Sequence, residues 1–141
     1  SNTTAVQMGV IPDDFKTSNG PYGTIISNAF SNDIDIHYSD KSFFITFYGL
    51  TQKSCMALAT TNWGSSSTGL VGVLVGETSA FMYDSYNYLV KNGTEGEING
   101  ATHDGYYANA PYLPISPAKV LDACGEPYNS FYPAFVLKFT K

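Results

Sequence analysis

Cys55 and Cys124 are the only cysteines, and His37 and His103 the only histidines, in a chain of 141 residues. Groups of these types admit three chemistries. A cysteine can be a nucleophile activated by an imidazole, cysteine and histidine can share a metal, or the two thiols can either pair or remain buried and free. Neither histidine has a ligand residue at metal spacing. His37 follows Ile36 in an alternating run and reads as the solvent side of a strand, and His103-Asp104 reads as a loop turn before it reads as a metal-assisted sugar site. Asp13-Asp14 has the form of a paired carboxylate, but directly after Pro12 it reads as a turn fixed by its own side-chain hydrogen bonds. The chain contains no Gly-x-Ser-x-Gly elbow, no phosphate loop and no dinucleotide fingerprint, and the glycine-bearing stretch Gly69 to Gly76 is apolar and lacks a lysine. No enzyme, cofactor or metal is expected. Spacing alone does not pair the cysteines.

The second group with chemical use is aromatic. Tyr83, Tyr86, Tyr88, Tyr106 and Tyr107 fall within residues 76–111, with Tyr112 just beyond. Tyrosine offers a large contact face at low entropic cost and stacks on sugars or on proteins. The same rings can equally pack the flank of a small sheet with their hydroxyls wet, and both readings stand at this level. Charged residues make up 13% of the chain, about half the usual share, while aromatics reach 15%. That balance, rich in Tyr, Ser, Asn, Gly and Thr, describes a β-rich extracellular protein rather than a cytosolic enzyme. A net charge of −5 with seven scattered basic residues excludes nucleic acid and an anionic membrane surface as partners.

The elements that must position these residues follow from periodicity and turn signals. Residues 3–10 allow two helical turns that Pro12 stops, and residues 13–22, with Ser18-Asn19-Gly20-Pro21, read as turn or loop. Strands are expected at 24–27, at 33–38 with Ile34, Ile36 and Tyr38 on one face, and at 42–48, where aromatics on both faces imply a central strand covered on both sides. Thr51 is a suitable N-cap for a helix that frays by Asn62, and Gly64 to Gly69 is a flexible run. Leu70 to Val75 is an apolar strand. Ser116, Pro117 and Gly125 bracket a short helix that ends in Cys124, and residues 134–140 form a last strand with Phe135, Leu137 and Phe139 on one face. Phe81 to Val90 fits a hairpin arm or a short helix, and Asn92-Gly93 and Asn99-Gly100 are turn pairs.

Three segments, taken in order, resemble the globular headgroup of type IVb pilins. Phe44-Ile45-Thr46-Phe47-Tyr48 leads through Gln52 into Cys55-Met56-Ala57-Leu58-Ala59-Thr60, with the cysteine one turn into the helix. A helix begun by Ser116-Pro117 ends in Cys124 ahead of a terminal apolar strand. Upstream, Ala5 to Phe15 precedes Ile26-Ser27-Asn28-Ala29-Phe30, in the order of a pilin connector and its strand entry, although Ser31-Asn32 stands where pilins of this class often carry paired glycines. The match spans residues 3–75 and 112–141, and residues 76–111 form a divergent, Tyr-rich segment expected at the surface.

The resemblance implies an α+β fold: an antiparallel sheet of four to six strands with short helices, a single headgroup domain over residues 1–141, and a disulfide between Cys55 and Cys124. It implies a structural subunit that polymerises with other pilin subunits, reaches an extracellular pilus through the inner membrane and periplasm, and serves adhesion, aggregation or conjugation. A minor or tip pilin with a ligand-binding face, meeting a host-surface or glycan receptor, and a free secreted lectin-like module are the alternatives. The long apolar N-terminal helix of the family is not in this sequence, so the chain reads as a soluble headgroup whose face toward that helix leaves an apolar groove open.

Overall fold

In the computed structural model the described residues are 16–20, 23–27, 33–77, 85–99, 104–125 and 132–141, with side chains described from residue 34 onward except at 77, 85 and 86. The elements are β1 (Lys16–Gly20), β2 (Gly23–Ser27), β3 (Asp33–Tyr38), β4 (Ser42–Tyr48), α1 (Gln52–Ala59), β5 (Leu70–Glu77), β6 (Glu95–Ile98), β7 (Gly105–Asn109), α2 (Pro117–Val120) and β8 (Pro133–Thr140). They build one eight-stranded sheet in the order β1-β2-β3-β4-β8-β5-β7-β6. Every pairing is antiparallel.

The alternation in the sequence sets the two faces. In β3, Ile34 and Ile36 are buried while Asp35 and His37 are exposed. Pairing Ile36 with Ile45, and Ile45 with Leu137, carries that apolar face across to β8. β8 and β5 continue it with Phe135, Leu137, Val73 and Val75. Helix α1 covers this first face with Cys55, Leu58 and Ala59, and Val120, Ala123 and Cys124 join it from α2 and the turn behind it. Cys55 and Cys124 form a disulfide with a Cα separation of 5.5 Å, and both are fully buried.

Side-chain capping bounds the first helix, and a proline at the first position starts the second. Thr51 Oγ1 accepts from the Ser54 amide at 3.1 Å at the start of α1, and Trp63 Nε1 donates to the Leu58 carbonyl at 2.8 Å at its end. Ser116 and Pro117 start α2 as expected, but the Ser116 side chain makes no capping bond and the α-helix closes at Val120. The chain reaches the disulfide through a tight turn, in which the Cys124 amide donates to the Val120 carbonyl at 2.8 Å.

Four expectations need correction. Residues 16–20 are not loop but strand β1, paired in register with β2. Gly64 to Gly69 contains a 3-10 turn at Ser66–Thr68. The second face of the sheet has no open apolar groove among the described residues, since Phe44, Val71, Leu74, Ala134 and Val136 are all buried there. Residues 76–111 are not a surface segment throughout, because β7 lies inside the sheet between β5 and β6, and Leu89, Ile98, Tyr106 and Ala108 are core. The expected helix over residues 3–10 and the carboxylates Asp13 and Asp14 lie outside the described residues.

The disulfide closes a loop that runs from within α1 through β5, β6, β7 and α2. On the chain-entropy view such a closure stabilises by about 4 kcal/mol. With both sulfurs buried, the native protein is expected to resist thiol alkylation without reductant and to show an intact mass about 2 Da below that of the reduced chain, from the two hydrogens lost on oxidation. Reduction under denaturing conditions followed by alkylation should lower the melting temperature by several degrees. Two alkylatable thiols in the native, unreduced protein would contradict the pairing.

Candidate functional site

The loop between β5 and β6 is built onto the second face of the sheet by one buried side chain. Asn109, at the end of β7, has no exposed surface. Its carboxamide oxygen accepts from the Val90 amide at 2.9 Å, and its nitrogen donates to the carbonyls of Thr94 at 2.7 Å and Tyr88 at 3.1 Å. The Val90 amide and the Tyr88 carbonyl are thereby satisfied, and the Thr94 carbonyl, which also accepts from the Asn109 amide at 3.0 Å, gains a second donor. A turn completes the loop. The Gly93 amide donates to the Val90 carbonyl at 3.1 Å, with Asn92 in the left-handed region at φ 57°, a conformation Asn tolerates better than most residues. A Cβ on Gly93 would collide with the Asn109 carboxamide.

Two further contacts fix the loop from below. Leu89 is fully buried against Val71, Leu74 and Val136, and the space it occupies exists because β5 has Gly72, where a Cβ would lie 3.1 Å from the Leu89 side chain and 2.7 Å from the Ala108 carbonyl oxygen. Lys138 Nζ donates to the Leu89 carbonyl at 2.6 Å and sits 5.4 Å from the Phe44 ring centroid. Burial holds the Lys138 ammonium below the ordinary lysine pKa.

The loop presents Tyr88, which ends a 3-10 turn at Ser85–Tyr88. Its ring packs on that of Tyr107, with centroids 4.7 Å apart and planes inclined by 35°. Tyr107 in turn lies against Gly96 of the edge strand β6, and its hydroxyl is 3.0 Å from Thr94 Oγ1. Tyr88 remains 41% exposed. The result is a two-ring platform on the edge of the sheet, flanked by the exposed Asn87 and Thr94. Beside the loop, Ser66, Gly69, Lys91, Asn92 and Thr140 line a recess of about 90 Å³.

Of the five tyrosines expected to form a contact surface, Tyr88 and Tyr107 come together. Tyr106 does not join them. It is only 6% exposed, points to the opposite face, and donates its hydroxyl to Glu95 Oε2 at 3.0 Å, so it leaves the contact surface. Tyr83 lies outside the described residues, and Tyr86 is described only in its backbone. His37 is exposed as expected, and His103 is not among the described residues. No group of three His, Cys, Asp or Glu able to hold a metal occurs among the described residues.

Sequence reasoning missed a second cluster on the helix face. Glu95 Oε1 accepts from Lys119 Nζ at 2.6 Å while Glu95 Oε2 accepts a hydrogen bond from the Tyr106 hydroxyl at 3.0 Å. The Lys119 contact holds the Glu95 carboxyl below its ordinary range. Burial first, and the Glu95 carboxylate second, push the Tyr106 phenol up to about 12. A general base at neutral pH needs the reverse shift. The cluster acts as a clamp that ties α2 to the edge strand β6.

Asn109 was also missed, although a signal was present. A lone Asn between Ala108 and Ala110 in an otherwise apolar run is a poor strand residue, which marks it as a side chain held for its hydrogen bonds. Compared with known proteins, the chain matches no family model, no curated protein and no solved structure.

Two outcomes follow from these geometries. Asn109→Ala removes three side-chain hydrogen bonds of about 1 kcal/mol each and should cost about 3 kcal/mol of stability. Hydrogen exchange should then show the Val90 amide losing protection while the β4 and β8 amides keep theirs relative to global unfolding. For Tyr106 the sign of the pH effect is fixed by linkage. In the unfolded chain the phenol ionises near 10 and in the folded protein near 12, so the unfolded state sheds its proton first. Stability held below pH 10 should fall as pH rises toward 12. In Tyr106→Phe that part of the alkaline decline should be missing from the dependence of melting temperature on pH.

Proposed function

We propose that this chain is the headgroup of a type IVb pilus subunit, which polymerises non-covalently with other pilin subunits into a filament for adhesion, aggregation or conjugation. In this reading the full-length protein passes through the inner membrane and periplasm to an extracellular pilus. A single observation carries the reading. The two segments that resemble the family, β4 running into α1 and α2 running toward β8, are adjacent in space and are joined by the Cys55–Cys124 disulfide. An oxidising route such as the periplasm suits a buried structural disulfide, and the low charged fraction suits an extracellular surface.

The Tyr88–Tyr107 platform favours a second reading, a minor or tip subunit that shows a binding face, and a free lectin-like module shares that feature. These readings separate by location. Antibody raised against the 141-residue chain, applied to cells of the producing organism and to their sheared surface fraction, should decorate filaments along their length in immunogold electron microscopy. Label confined to filament ends would move the protein to the tip. Antigen found only in the culture fluid, with no filament labelled, would leave the secreted module and end the pilin reading.

A further inference from the structure

We propose that the platform of Tyr88 and Tyr107, with Asn87 and Thr94 at its rim, binds a neutral carbohydrate by stacking a sugar ring on the exposed surface of Tyr88. The inference concerns a ligand and does not rest on filament assembly.

Four features of the site point to this class of ligand. Tyr107 packs on the Tyr88 ring at 4.7 Å between centroids, and Tyr88 keeps 41% of its surface exposed, area that a sugar ring can meet. The pairing of β6 with β7 removes charge from the platform. Glu95 and Glu97 stand opposite Ala108 and Tyr106, on the helix face, whereas Gly96 and Ile98 stand opposite Tyr107 and Gly105. On this side β6 and β7 thus present no ionised group, and the Lys138 ammonium of β8 is occupied beneath the loop by the Leu89 carbonyl, so the C–H face of a neutral pyranose can meet the aromatic ring without a charge from these two strands to desolvate. Around the rings are neutral hydrogen-bonding groups: the Asn87 carboxamide, and the Thr94 hydroxyl with its partner Tyr107 hydroxyl at 3.0 Å. These match sugar hydroxyls, which both donate and accept.

Size decides between a sugar and a protein. A stable protein interface buries about 800 Å² on each partner, yet on this loop and the two strands beneath it Tyr88 and Val90 are the only large apolar side chains exposed among the described residues. That is room for one or two sugar rings. The site is also formed in advance. The Asn109 bonds to Tyr88, Val90 and Thr94 and the Lys138 bond to Leu89 hold the loop before any ligand arrives, which removes the ordering cost that weakens binding by flexible loops.

Saturation-transfer difference NMR on the 141-residue chain, with lactose, maltose and chitobiose as separate probes, tests this. At least one disaccharide should receive saturation on its ring C–H protons, with affinity weakened about tenfold or more in Tyr88→Ala and retained in Tyr88→Phe, since the ring and not the hydroxyl stacks. Tyr112→Ala, which alters an exposed tyrosine outside the platform, should bind as the native chain does. Tyr88→Leu keeps bulk without the aromatic face and answers the same question if the alanine variant loses the native Trp63 emission. No transfer to any of the three sugars overturns the proposal, as does transfer that Tyr88→Leu leaves unchanged. Concentration-dependent dimerisation abolished by the same substitution would assign the platform to a second copy of the chain and would equally overturn it. Filament labelling and sugar binding are independent readouts, so failure of one leaves the other standing.

Discussion

The last strand of the chain occupies the centre of the sheet, and the remaining structure depends on that placement. β8 pairs with β4 on one side and β5 on the other, and both are antiparallel to it, so β4 and β5 run parallel to each other one strand apart. Parallel strands require a crossover, and α1 lies in it. Until β8 enters, Phe47 and Val75 lack the Phe135 that pairs with both, and the half-sheets β1–β4 and β5–β7–β6 have no shared core. The disulfide acts on that arrangement. It joins the helix that leaves β4 to the turn that leads toward β8, so the covalent link lies directly over the junction between the two halves.

The sequence made this central part legible because its signals were local and strong. Alternation in Asp33–Tyr38 and aromatics on both faces of Ser42–Tyr48 identify a strand with one apolar face and a strand covered on both sides, and the covered one is indeed buried along nearly all its length. Thr51 marks the start of α1. Where pairing rather than composition decides, the signal was missing. Lys16–Gly20 reads as a polar loop and becomes a strand through its hydrogen-bond partner β2. Tyr106 and Tyr107 show the limit most clearly. Adjacent strand residues must point to opposite faces, so one ring had to be core and the other surface. Which is which depends on the register with β5, where Val75 faces Tyr106 and Leu74 faces Tyr107, and register is a property of two segments at once.

The platform inherits its geometry from the core. Gly72 leaves the hollow that Leu89 fills, Asn109 closes the backbone bonds of the loop over it, and Tyr88 is the residue that the finished loop turns outward. A polar side chain with no exposure costs stability unless every group is paired. Here the three carboxamide bonds offset that cost, and they specify one loop conformation where an apolar residue at 109 would take the side-chain partner from the Val90 amide and the Tyr88 carbonyl. On the opposite face of the same strands the Glu95–Tyr106–Lys119 clamp fastens α2, so β6 is fixed from both sides although it is a short edge strand. Glu95 and Glu97 also place acidic charge along that edge, which discourages pairing with the edge of another sheet.

A shallow platform of this kind bears on how the protein would work as a subunit. Tyr88 and Tyr107 form a surface platform and not a cavity of the kind that encloses a small ligand, so a sugar stacked on Tyr88 would stay largely in solvent and bind weakly at a single site. A lone tip protein with such a site would hold a receptor poorly. Repetition changes the arithmetic, because a second copy on the same filament binds at high effective concentration, and avidity can exceed the single-site affinity by about 10²–10⁴ when the spacing allows simultaneous contact. If the chain is repeated along a filament, as proposed, many such sites would act together, whereas at a tip the platform would have to act alone.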